Sequence, residues 1–155
     1  MLDEQRELAG ELRRLVTTRL LDPLSILLES DTATNELQRQ VEQQAAQWAA
    51  TMLGPDQQAA AHACSRALAA LFPSDGPFAP PDPWWRTPLG RVVARRLGHP
   101  GADHVPFSTA GAILGITRQG VHDLVNRGKL ERHPDGGVRT ASIRARLDHI
   151  HGGTA

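Results

Sequence analysis

A single cysteine, Cys64, stands among the 155 residues, so no intramolecular disulfide can form, and its alanine-rich surroundings predict a small buried hydrophobe. Long apolar runs are missing as well: no stretch approaches the ~18 consecutive apolar residues of a membrane span. The opening residues, MLDEQRELAGELRR, are acidic and amphipathic, unlike a secretory leader. These absences predict a cytoplasmic chain with no membrane partner. There is no phosphate-cradling glycine loop, and Gly136-Gly137 fits the tip of a hairpin instead. None of the seven histidines shares a helix face with a second ligand at metal spacing, His149 and His151 being two apart and Cys64 remote from both. No metal and no cofactor are therefore expected. The carboxylates of the first half are spread as helix surface, with no nucleophile and base grouped beside them, so no enzyme activity is expected either.

What is present is unevenly distributed. The formal net charge is zero, but residues 1–83 hold twelve acidic and six basic side chains, whereas residues 84–155 hold five acidic and eleven basic. An anion is best placed on the second half, and phosphate contacts supply much of the affinity of proteins for DNA.

Three segments follow from periodicity and punctuation. Residues 1–72 read as a helical domain. A first amphipathic helix from about Asp3 to Leu21 stacks Leu8, Leu12, Leu15, Val16 and Leu20, and Asp22-Pro23 starts a short second one. A longer helix from about Asn35 to Leu53 carries Leu37, Val41, Ala45, Trp48 and Met52 close to a coiled-coil seam. Gly54-Pro55 ends it, and Asp56 to Leu71 forms the next, with Ala60, Ala63, Ala67 and Ala70 as a ridge of small residues. Periodicity fits a bundle closed on itself as well as one closed on a second copy of the chain or on another protein. Residues 73–83, PSDGPFAPPDP, hold five prolines and read as a stiff linker. Trp84 and Trp85 then anchor that linker on a core. Thr87-Pro88 caps a helix ending at Gly98, with Arg91 and Arg95 on a face that is either solvated or set against phosphate.

The stretch from Val105 to Leu147 is the most informative, after HPGADH at 99–104 as a loop. Ser108 or Thr109 can cap a helix whose Ala110, Ile113 and Leu114 share a face. Gly115 ends it through a left-handed residue, Ile116 plugs the turn, and Thr117 caps a second helix with Val121, Leu124 and Val125 inward and Gly128 as terminator. Arg118, Gln119, His122, Asp123 and Asn126 fall on the outer face. Gly120 costs about 1 kcal/mol of helix propensity relative to alanine, and either permits a close approach or is merely tolerated.

With Phe107 as the first position, Gly111 is a small fifth residue and Gly115 a ninth glycine, which resembles the bihelical DNA-binding pattern. The continuation GKLERHPDGGVRTASIRARL is similar to the short hairpin and closing helix of the excisionase and MerR-like winged helix-turn-helix families. The resemblance covers roughly the last 45 residues. It implies a C-terminal helix-turn-helix with a small β-hairpin wing, over residues 84–155, which with the helical bundle read for residues 1–72 makes a mainly α fold. It further implies a bacterial, nucleoid-associated transcription regulator that binds double-stranded DNA as a homodimer, with residues 117–127 in the major groove. Arg118, Gln119, His122 and Asn126 are then expected on base edges, and Thr117 at a phosphate. Arg127 and Lys129 follow at the helix end, and the wing from about Glu131 to Arg139 lays Arg132, His133 and Arg139 along the DNA. Two other roles fit the same pattern: an excisionase-like recombination factor, and an antitoxin or adaptor whose residues 1–72 bind a protein partner. The module is C-terminal here and lacks a long helix after it, unlike the MerR arrangement.

Overall fold

The computed structural model describes residues 2–152 and is mainly helical, with one small two-stranded antiparallel sheet. The chain divides between Pro73 and Ser74 into two compact units. Among the described residues no helix is long and apolar enough to cross a membrane.

In the first unit, α1 (Leu2–Val16) buries Leu8 and Leu12 against α3 (Thr32–Leu53). A π-helical turn, Thr17–Leu21, carries α1 without a break into α2 (Asp22–Leu28). The register is held by Thr17, whose hydroxyl donates to Gln38 at 2.8 Å, and by Arg19, which donates to the Leu71 carbonyl at 3.0 Å and lies over the Phe72 ring. α3 starts three residues before the position expected from its apolar stripe. The cause is Thr34, buried with its hydroxyl 2.6 Å from that of Ser25, which draws the polar stretch into the first turn. Val41, Ala45, Ala49 and Met52 form the buried side of α3, whereas Leu37 is exposed and Trp48 only half-buried. In α4 (Gln57–Leu71), Asp56 caps the Ala59 amide at 3.1 Å and Cys64 is fully buried. By contrast α2 buries no side chain and presents Leu24, Ile26, Leu27 and Leu28 to solvent.

The second unit is organised around Trp85, which has no exposed surface. A 3-10 turn, Asp82–Arg86, sets Trp84 and Trp85 edge-on to each other at 5.0 Å, and Phe78 packs edge-on against both. The proline-rich segment expected to be a stiff linker thus supplies Phe78 to the packing around Trp85. Thr87 caps α5 (Pro88–Arg96), and its hydroxyl accepts the Gly90 amide at 3.0 Å. Gly90 is required there, because a Cβ would lie 2.1 Å from the Trp84 carbonyl oxygen. Beyond α5, β1 (His104–Val105) pairs with β2 (Val138–Arg139), and α6 (Phe107–Leu114), α7 (Arg118–Asn126) and α8 (Thr140–Gly152) complete the unit. Their shared core is Leu89, Val93, Val105, Ala110, Val121, Leu130, Val138 and Ile143.

His99 shapes the turn after α5. Its Nδ1 accepts the backbone N–H groups of Gly101 and Ala102, both at 3.0 Å, and its ring lies 5.0 Å from that of Trp85. Burial pushes this imidazole below its ordinary value of 6.5. The unfolded chain takes up the proton near the ordinary value and the folded chain only at lower pH, so acid favours unfolding between the two. Thermal melts followed by near-ultraviolet tryptophan dichroism should therefore shift downward as pH falls from 7 toward 5. His99→Gln should flatten that dependence, and an unchanged slope would exclude His99 as a contributor.

Candidate nucleic-acid interface

α6 and α7 are joined by a turn that only certain residues allow. Gly115 adopts φ +72°, and Ile116 donates its amide back to the Gly111 carbonyl at 2.9 Å. Gly111 must stay small, because a Cβ there would sit 2.8 Å from the Ile116 carbonyl oxygen. Thr117 caps α7 through a 3.0 Å bond from the Gly120 amide. Gly120 also has a packing reason: a Cβ would lie 3.3 Å from the Thr117 hydroxyl and 3.4 Å from Ile116 Cδ1. α6 itself has Pro106 at its N-terminus rather than a Ser108 or Thr109 cap, since Thr109 donates instead to Asp82 at 2.6 Å and ties α6 to the tryptophan turn.

Val121 is fully buried and fixes the inward side of α7, with Leu124 and Val125 half-buried beside it. The opposite side exposes Arg118, Gln119, Asp123 and Asn126, with Gln119 donating to Asp123 at 3.3 Å. His122 is half-buried, its ring 4.2 Å from that of Phe107. After α7, Gly128 takes φ +72° and the Lys129 amide returns to the Leu124 carbonyl, leaving Arg127 and Lys129 exposed and Leu130 buried.

The hairpin from Glu131 to Arg139 is closed by His133 donating its amide to Gly137 at 3.0 Å and Arg139 donating to Glu131 at 2.8 Å. Its returning strand, β2, pairs on its other side with β1, in the register His104 to Arg139 and Val105 to Val138. The segment expected as a loop therefore ends in a strand. Thr140 locks this edge, its hydroxyl donating to the Ala102 carbonyl and its amide to that of Asp103.

Of the ten candidate contact residues, Thr117, Arg118, Gln119, Asn126, Arg127, Lys129 and Arg132 are exposed. Arg132 projects over the Phe107 ring at 5.4 Å, which places it beside α6 and α7. His133 and Arg139 are engaged within the protein. The His133 side chain is only 11% exposed and stacks on His104. Arg139 Nε lies 2.8 Å from a Glu131 carboxylate oxygen, paired in charge though not aligned for a hydrogen bond.

One constellation escaped the sequence reading. Asp103, His104 and His133 each bring a ligand-type atom within 4.8 Å of the others. The hydrogen bond from His104 is the main cause that holds the Asp103 carboxyl below the usual carboxylate range. No local spacing signals this group, since β1 and the hairpin meet only in the folded chain.

No protein-family model, curated protein or solved structure matches this chain.

Proposed function

We propose that residues 84–155 form a winged helix-turn-helix of the excisionase/MerR-like kind and that the chain is a sequence-specific double-stranded DNA-binding regulator without catalytic activity. In this reading α7 enters the major groove and the hairpin from Glu131 to Arg139 is the wing. The observation that carries it is the outer side of α7, where Arg118, Gln119 and Asn126 stand exposed behind a capped helix N-terminus while Val121 anchors the inner side. Arginine is suited to guanine, and glutamine and asparagine to adenine, while the amides at the start of α7 and Thr117 suit a phosphate. Arg127, Lys129 and Arg132 supply further positive charge next to it. A homodimer belongs to the proposal, because two half-sites give a small module the interface it needs for specificity.

Arg118→Ala should cost about 1–3 kcal/mol in binding and relax preference at one base position. Arg132→Ala should weaken all sequences alike and reduce the salt slope by about 1. Binding assays on single-base operator variants separate the two, and equal, sequence-independent losses would refute these roles.

A second reading has its own support. The exposed Leu24, Ile26, Leu27 and Leu28 of α2 form an apolar surface suited to another protein, as an antitoxin or adaptor requires. Under that reading, Ile26→Asp with Leu27→Asp abolishes partner capture and leaves DNA binding per protomer intact.

A further inference from the structure

Asp103 and His104 precede α6, and His133 opens the hairpin tip, yet the chain draws them into one cluster. His104 Nδ1 lies 2.7 Å from one Asp103 carboxylate oxygen, and His133 Nε2 lies 3.8 Å from the other. The two imidazoles stack with centroids 3.9 Å apart and planes 15° from parallel. A carboxylate with two imidazole nitrogens is a donor set suited to a borderline first-row dication, zinc above all.

Two features set this group apart from a surface ion pair. Its backbone is held in place: β1 pairs with β2, Thr140 binds the carbonyls of Ala102 and Asp103, and His133 donates its amide to Gly137. Donors on a hydrogen-bonded ladder are ordered before any ligand arrives. A carboxylate able to become an outer-sphere partner also stands nearby, because that of Asp135 lies 3.9 Å from His133 Nδ1, the nitrogen on the far side of the ring. Metal-binding histidines characteristically donate that second N–H to a carboxylate.

We propose that Asp103, His104 and His133 bind one zinc-class dication, through the Asp103 carboxylate, His104 Nδ1 and His133 Nε2, with water in the fourth position. Atoms no more than 4.8 Å apart need to close by less than about 1 Å each to reach zinc–ligand distances of about 2.0–2.2 Å. The two rings tilt apart from their stacked arrangement as they do so. Without metal, His133 Nδ1 accepts the Asp135 amide at 3.0 Å and His104 Nδ1 faces Asp103, so the ring protons sit on His133 Nε2 and His104 Nδ1. Binding moves each proton to the other nitrogen of its own ring. The His133 proton then points at the Asp135 carboxylate, and the Asp135 amide gives up its bond. Occupancy ties the segment before α6 to the hairpin tip; only its consequence for DNA affinity rests on the function proposed above.

The test is zinc titration of the chelator-stripped full-length chain by calorimetry, with cobalt(II) visible spectra as a reporter of coordination. One equivalent is expected for the parent chain, with four-coordinate cobalt bands. His104→Gln and His133→Gln should each weaken zinc by at least about tenfold. Asp103→Asn should do the same, and because the Asp103 side chain is 78% exposed, this variant keeps the fold even if a histidine variant does not. His149→Gln with His151→Gln should leave the stoichiometry unchanged. No binding by the parent chain, undiminished binding by Asp103→Asn, or loss of the equivalent in the His149 and His151 variant would each overturn the proposal. All are read without DNA, so they stand apart from the fate of the proposed function.

Discussion

Trp85→Ala is expected to cost about 3–5 kcal/mol and to bring the urea midpoint of the second unit down sharply. The indole has no exposed surface and meets Phe78, Trp84 and His99 at ring distances of 5.0 to 6.4 Å. Its removal opens a cavity at the point where the 78–86 segment, α5 and the His99 turn converge. Small domains hold only roughly 5–15 kcal/mol in total, so this single loss removes a large share of the margin. Trp85→Phe should be much milder than the change in volume implies, since the Trp85 indole N–H has no acceptor among the described residues and its loss strands no partner. Urea unfolding monitored by dichroism gives both values. A parent-like midpoint for Trp85→Ala would show that the tryptophan turn does not organise this unit.

Gly137→Ala ranks next. Gly137 has φ +77°, and a Cβ would lie 2.3 Å from the Val105 carbonyl oxygen, a backbone atom that is held in β1. Left-handed strain of about 1–2 kcal/mol adds to an overpacking cost of about 1–3 kcal/mol. The neighbouring Gly136 separates these two contributions, because at φ +101° a Cβ there meets nothing within 4 Å. Gly136→Ala should therefore carry the strain alone, and Gly137→Ala should also separate β1 from β2. Amide exchange at Thr140, which donates to Asp103 beside β1, reports that separation directly, with Arg139, which donates to Glu131 within the hairpin, as the reference. Equal penalties at the two glycines would contradict the close approach of hairpin and β1.

The parts of the fold set by local chemistry were legible in the sequence. Thr87 and Thr117 cap the helices that follow them, and Gly115 and Gly128 take the left-handed backbone that ends a helix. What was not legible depends on distant partners. β1 is two residues long, too short for any alternation to show, and exists because Val138 and Arg139 return beside it. The prolines of 73–83 keep most of that segment free of regular structure, but composition does not reveal that Asp82 and Pro83 open a 3-10 turn or that Phe78 would find Trp84 and Trp85. Thr109 is a reasonable cap by residue type, yet Asp82, 27 residues earlier, claims its hydroxyl. The same holds at the candidate interface. The exposed side of α7 follows from its period, whereas the engagement of His133 by His104 and of Arg139 by Glu131 arises only when β2 lies between β1 and the first hairpin arm.

The proposed function is sequence-specific binding of double-stranded DNA through α7. Its most direct test is fluorescence anisotropy with the duplex immediately upstream of the protein's own gene and with a scrambled duplex of equal composition, each across a salt series. Tighter binding to the upstream duplex that persists as salt rises is expected, because base contacts outlast the phosphate contribution. Equal, steeply salt-sensitive binding to both duplexes, or binding to neither, would contradict it.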